Sequence, residues 1–430
     1  MREYIIEGGT PVNGEITASG NKNAALPCIA ATLLTPEPVV LRNIPEIEDV
    51  QVMFEVLKQL GVQVERGGGK GEWRVTTGSL TGNAVPAEQA RRIRASILLA
   101  GPLLARTGSV ELPPPGGDVI GRRRLDTHFL AFESLGATVE TNDVYRLAAT
   151  KLIGAELFLD EASVTATENA LMAAVLAEGA TTIENAASEP HIQDLCRMLN
   201  RMGADIGGIG SNILRINGVE SLHGTEFAIG SDFMEVGSFI GLAAATRGEL
   251  LIRNAGPEHL KMTRIVFARL GIHWEVSGED VFVPARQSLR VRADLGGMVP
   301  KIDDAPWPGF PPDLTSIMTV VATQVEGTIL IHEKMFESRM FFVDKLIGMG
   351  ARIVLCDPHR AVVTGPCRLT GSELVSPDVR AGMAMVIAAL CAHGTSHIHN
   401  VYQIERGYEN LVPRLRALGA RISRNGNDTG

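Results

Sequence analysis

The chain has 430 residues, a formal net charge of −9 and 45% hydrophobic residues, of which few are aromatic. That length exceeds one ordinary core, so two or three domains are expected. The acidic balance argues against general nucleic-acid binding.

The N-terminal MREYIIEGG has no apolar stretch and no cleavage site of the kind that marks a secretory signal. The longest apolar run, MAMVIAALCA, is too short to span a bilayer. Five cysteines (Cys28, Cys196, Cys356, Cys367 and Cys391) form no CxxC pair and no metal-ligand spacing. The expectation is a cytoplasmic chain with reduced thiols, no metal, no cofactor and no membrane partner. The tail SRNGNDTG is expected to fray.

Along the chain, six segments end an amphipathic helical pattern with an apolar residue, a glycine and a new strand. They are KQLGVQV at Gly61, ESLGATV at Gly136, NRMGADI at Gly203, ARLGIHW at Gly271, IGMGARI at Gly350 and RALGARI at Gly419. The spacings are 75, 67, 68, 79 and 69 residues. Each glycine is placed for a left-handed helix C-terminus, a conformation other residues avoid. A second module alternates with the first: an apolar helix, a short turn, a β-rich strand and usually Asn. ALPCIAATLLTPEPVVLRNI, ILLAGPLLARTGSVELPPP, LMAAVLAEGATTIENA, FIGLAAATRGELLIRNA, IMTVVATQVEGTILIHE and MVIAALCAHGTSHIHNV fit it. Helices apolar nearly all round are expected to be buried, and the amphipathic set to keep one exposed face. Six such two-helix units do not share one core. The pattern predicts an α/β chain of two domains with three units each, central helices and outer sheets. The units are longer than ordinary solenoid repeats.

Several motifs, spread over essentially the whole chain, resemble the enolpyruvyl transferases. They are SGNKNAALP (19–27), RASILLAGPLLAR (94–106), GGDVIGRRRLDTH (116–128), AEGATTIENAASEP, FPPDLTS, FESRMFFVDKL and IERGYENLVPRLRALGA. The resemblance is to the branch acting on UDP-N-acetylglucosamine; the shikimate 3-phosphate branch typically opens with GSKS-type rather than GNKN-type residues. It implies an inside-out α/β barrel of six similar units. The first domain is expected to take 1–20 with 233–430 and the second 21–232, with the active site in the cleft between them. The implied reaction joins the enolpyruvyl group of phosphoenolpyruvate to the 3′-hydroxyl of UDP-N-acetylglucosamine by addition and elimination. Phosphate is released, in the first committed step of peptidoglycan synthesis. The alternative is another nucleotide or nucleotide-sugar acceptor. The expected partners are these small molecules, with the chain a monomer or weak homo-oligomer.

Both substrates are anionic, so fixed cations must gather in an acidic protein. By resemblance, Lys22, Asn23, Arg123, Arg380 and Arg406 contact phosphoenolpyruvate. A lysine beside a helix start and the two-point fork of arginine suit phosphate and carboxylate. Asp313 in PWPGFPPDLTS is the implied general base for the 3′-hydroxyl, although an Asp before an apolar helix is also a common N-cap. Arg94, Asn23, Arg123, Leu125, Asp126, His128, the turn Ser163–Val164, Asp313 and Met335 are implicated in holding the nucleotide sugar. Ser163 equally fits a plain helix cap. Arg339, Glu189 and Asp232 match residues lining the cleft. Arg122 and Arg124 read as a solvated face.

Asp118 stands where most of the family carries a cysteine, the residue alkylated by fosfomycin. The resemblance gives Asp118 the acid role at phosphoenolpyruvate C3 and implies fosfomycin resistance, since no thiol is present to alkylate. The chain departs from the family in two further places: Arg124 replaces a usual Pro, and Thr165 a usual Gly. The loop VPKIDDAPWPGFPPD also looks longer than is typical.

Overall fold

The computed structural model describes residues 2–117, 121 and 123–425. Asp118 and Arg122 lie outside the described residues. Helices with almost no polar face determine the architecture. Phe233–Thr246 and Thr315–Ala322 are buried at every position, and Val379–Cys391 at every position but the last. Lys22–Ala31 is buried from Ala24 onward and Val164–Ala174 from Ala166 onward. Ala100–Thr107 is buried through Leu104. A helix without a wet face is stable only where other elements surround it.

Two compact units result. One takes Met1–Ser19 and Ser231–Gly430, the other Gly20–Gly117 and Arg123–Gly230. Each has its own hydrophobic core. In the first, the helices Phe233–Thr246, Thr315–Ala322 and Val379–Cys391 all touch one another. In the second, Ala100–Thr107 packs on Val164–Ala174, and Lys22–Ala31 on Pro190–Arg201.

Six sheets are present among the described residues, three in each unit. They share one plan. The strand after each buried helix pairs antiparallel with another strand and, in five of the six sheets, parallel with a short third one. Thus Ala180–Glu184 runs antiparallel to Ile213–Asn217 and parallel to Glu156–Phe158. Gly327–His332 runs antiparallel to Arg360–Gly365 and parallel to Lys301–Asp303. The sheet of Ser109–Leu112 has three strands and a single parallel bridge, Ala84 to Glu111, in place of the fourth. The N-terminal strand Glu3–Glu7 sits between Thr395–His399 and Arg421–Asn425, with Ile5 opposite both His397 and Ser423. That pairing places the start of the chain in the unit that also holds its end.

The predicted glycine ends are found. Gly61, Gly136, Gly203, Gly271, Gly350 and Gly419 all have positive φ, from 76° to 100°. Asn43, Asn185, Asn254 and Asn400, the asparagines closing the second module, also have positive φ. Asparagine tolerates this region better than most residues. No helix among the described residues is long and apolar enough to cross a membrane.

Candidate active site

In the unit that holds both termini, the turn Pro312–Leu314 leads into the helix Thr315–Ala322. The helix Phe233–Thr246 packs closely on this segment. A Cβ at Gly237 would lie 2.7 Å from Leu314 Cδ1, so glycine permits the approach that fixes Asp313 in place. Asp313 is not an N-cap: neither the turn nor the helix has a side-chain cap bond. Its two oxygens instead face two arginines. Oδ1 accepts from Arg339 Nη2 at 2.7 Å, and Oδ2 accepts from Arg380 Nε at 2.9 Å. Burial alone would raise the Asp313 carboxyl. The guanidiniums of Arg339 and Arg380 outweigh it and hold the group well below the usual carboxylate range.

Both arginines are buried. Arg339 lies over the Phe336 ring at 4.9 Å, and Arg380 over the Tyr408 ring at 5.2 Å. Arg380 is the second residue of the helix Val379–Cys391, whose N-cap Asp378 accepts from the Arg380 and Ala381 N–H groups at 2.8 and 2.9 Å. Asp232 caps Phe233–Thr246 through Oδ1, and its Oδ2 lies 3.9 Å from Arg380 Nη2. Arg339 Nε and Nη1 and Arg380 Nη1 are buried with no hydrogen-bond partner among the described residues. Buried guanidinium N–H groups without acceptors are costly. Three of them around one carboxylate form a site for an anion.

Two other predicted residues, Arg406 and Met335, lie in the same unit. Arg406, buried, ends the short helix Tyr402–Glu405, and its Nη1 donates to Gln403 Oε1 at 2.8 Å. Met335 donates its backbone N–H to Asp304 Oδ2 at 3.2 Å and leaves its side chain exposed.

In the other unit, Asn21 caps the helix Lys22–Ala31 by accepting from the Asn23 and Ala24 N–H groups. Lys22 Nζ pairs with buried Asp49 Oδ2 at 2.6 Å. Arg94 Nη2 donates to Arg123 O at 2.7 Å and reaches Arg124 O at 3.4 Å, so it shapes the backbone that presents Arg123. Burial, helped by the Arg123 charge, lowers the Arg94 guanidinium to about 10. Arg124 forms an exposed pair with Asp126 at 2.9 Å, as expected of a solvated face. Leu125 is buried ahead of the helix Asp126–Ser134.

Ser163 caps Val164–Ala174: its Oγ accepts from Ala166 N–H and its carbonyl from Thr167. Its side chain therefore fills the cap role, and only the turn is left for the nucleotide. His128, expected among the residues holding the nucleotide sugar, turns its ring toward protein partners. It is buried, with Nδ1 against Asn169 and Nε2 against Thr165. Glu189 precedes the helix Pro190–Arg201 without capping it. Together with burial, its charge pushes the fully buried Glu168 carboxyl well above its ordinary value.

The family model described as EPSP synthase (3-phosphoshikimate 1-carboxyvinyltransferase) matches residues 6–415. The chain belongs to this enolpyruvyl transferase family. It is 67% identical over 98% of its length to a UDP-N-acetylglucosamine 1-carboxyvinyltransferase of Treponema denticola, covering 99% of that relative. Relatives of the same name from Treponema pallidum and Bradyrhizobium diazoefficiens are 64% and 58% identical over 99% and 98% of the chain, with 100% and 98% of each covered. Among solved structures, the enolpyruvyl transferase NikO of Streptomyces tendae superposes with a TM-score of 0.88 at 24% identity, covering 99% of both chains. EPSP synthase of Acinetobacter baumannii does so with a TM-score of 0.76 at 18% identity, covering 99% of this chain and 100% of that one. Both likenesses establish the fold.

Several residues of this enolpyruvyl transferase escape a reading by motif. Asp49, Asp304 and Asn169 partner Lys22, Met335 and His128 from segments distant in sequence. One signal was available. TATEN places four polar side chains in the first turns of an otherwise apolar helix, and three of them, Thr167, Glu168 and Asn169, are buried there.

Proposed function

We propose that the chain transfers the enolpyruvyl group of phosphoenolpyruvate to the 3′-hydroxyl of UDP-N-acetylglucosamine and releases phosphate, the first committed step of peptidoglycan synthesis. Full-length identity to relatives named for that transfer carries the reading. The donors left open around Asp313 supply its chemistry. Arg339 Nε and Nη1 and Arg380 Nη1 take an anionic group of phosphoenolpyruvate. That negative charge offsets the pull of the two guanidiniums on Asp313, so its basicity rises as the substrate arrives. Asp313 then accepts the 3′-hydroxyl proton while the sugar oxygen bonds to C2 of phosphoenolpyruvate and a proton is added at C3. Loss of a C3 proton and cleavage of the C2–phosphate bond restore the double bond.

Lys22, Asn23 and Arg123 belong to one compact unit, and Asp313, Arg339, Arg380 and Arg406 to the other. We assign the acid at C3 to Asp118, which lies outside the described residues. Leu125, Asp126, the Ser163–Val164 turn and Met335 are assigned to the nucleotide sugar. The His128 ring and Arg94 support that set from behind.

Asp313→Asn keeps the side-chain size and removes the base. Phosphate release from phosphoenolpyruvate in the presence of UDP-N-acetylglucosamine is expected to fall at least about 100-fold. Calorimetry is expected to show the nucleotide sugar still binding. Unchanged turnover in a variant with native circular dichroism would remove Asp313 from the base role.

A further inference from the structure

The direction of each hydrogen bond around His128 follows from its neighbours. Asn169 Oδ1 accepts the Gly101 N–H at 2.8 Å, so the other terminal atom of that amide is its nitrogen. This nitrogen donates to Ile97 O at 3.0 Å and to His128 Nδ1 at 2.9 Å. An Nδ1 that accepts leaves the ring proton on Nε2. Burial, with the Arg94 charge nearby, keeps the ring neutral and lowers it to about 3. Nε2–H therefore donates to Thr165 Oγ1 at 3.0 Å.

A hydroxyl that accepts such a bond keeps its own hydrogen to give. Among the described residues His128 is the hydrogen-bond partner of the Thr165 hydroxyl, and nothing there accepts that hydrogen. Thr165 is half-buried, in the first turn of the 11-residue helix Val164–Ala174. The first N–H groups of a helix have no acceptor within it, and the positive end of its dipole favours an anion. The protein has thus oriented one O–H donor beside donors that already favour negative charge.

We propose that Thr165 is a specificity-determining residue whose hydroxyl, turned by His128, donates to a diphosphate oxygen of the nucleotide sugar. This rests on the nucleotide-sugar reading above. A phosphate oxygen only accepts, so it matches a donor that has no other use. Asn169 and His128 act as positioning residues, because they fix which hydrogen Thr165 has left.

The test compares Thr165→Val, which keeps the shape and loses the hydroxyl, with Thr165→Ser, which keeps it. UDP is titrated calorimetrically against each variant, and steady-state constants are measured for both substrates. The Val variant is expected to bind UDP about 3- to 10-fold more weakly, with KM for UDP-N-acetylglucosamine raised to match. Its kcat and its KM for phosphoenolpyruvate are expected to stay within about twofold. The Ser variant is expected to track the unaltered protein. UDP affinity unchanged in the Val variant overturns the proposal, as does a Ser variant as weak as Val. A loss confined to kcat or to melting temperature also overturns it, because it would mark a purely structural hydroxyl. Failure of the transfer reading shows separately, as absent UDP-N-acetylglucosamine-dependent phosphate release in the unaltered protein. The UDP titration still reads Thr165 in that case.

Discussion

Asp313 meets two opposed demands. As a base it must attract a proton, yet Arg339 and Arg380 hold its carboxyl far into the ionised range. The conflict is resolved if the base is silent until an anion shares those arginines. Glu333 presents the reverse case in the same unit. It is fully buried. Burial raises its carboxyl from the ordinary 4.5 to about 8; Arg339 works against the rise and Asp304 adds to it. Between those values the folded chain holds a proton that the unfolded chain has lost, so stability falls as pH rises across the window. Glu333→Gln removes that dependence. Its melting temperature relative to the unaltered protein is expected to climb steadily from about pH 5 to about pH 8. A difference that stays flat with pH would show that Glu333 ionises normally. Neither residue's state was legible in the sequence. FPPDLTS marks Asp313 as a candidate, but its partners Arg339 and Arg380 lie 26 and 67 residues away.

At the level of elements, the glycine-ended helices were the most legible feature, because a left-handed C-terminus is a local demand with a local residue solution. Their costs are separable. A Cβ on Gly419 meets nothing within 4 Å, so only its φ of 87° penalises substitution. A Cβ on Gly61, at φ 89°, also comes within 2.8 Å of Thr81 Cγ2 and 3.3 Å of Ser79 O. Gly419→Ala is expected to destabilise by about 1 kcal/mol. Gly61→Ala is expected to cost more, and denaturant melts of both variants check the order. Equal losses would mean that the Thr81 contact relaxes freely. The helix Val164–Ala174 was legible only in part. Its apolar run marks burial, but the network through Thr165, His128, Asn169 and Gly101 joins segments up to 68 residues apart. Spacing alone carries no trace of such a contact.

At the scale of the whole molecule, six units, three sheets per compact unit and the return of the chain to its first strand all follow from one repeated helix–strand plan. The count of units was readable because the glycine and asparagine markers recur in register. The pairing of Glu3–Glu7 with Thr395–His399 was not, because nothing local in MREYIIEGG names a partner about 390 residues away. The acceptor is the property on which the whole account turns. It is tested most directly by incubating the unaltered protein with phosphoenolpyruvate and UDP-N-acetylglucosamine and identifying the product by mass and proton NMR. The expected result is one inorganic phosphate for each UDP-sugar carrying an enolpyruvyl ether at its 3′-oxygen. Phosphate release that ignores UDP-N-acetylglucosamine, or an ether formed only on shikimate 3-phosphate, would contradict the account.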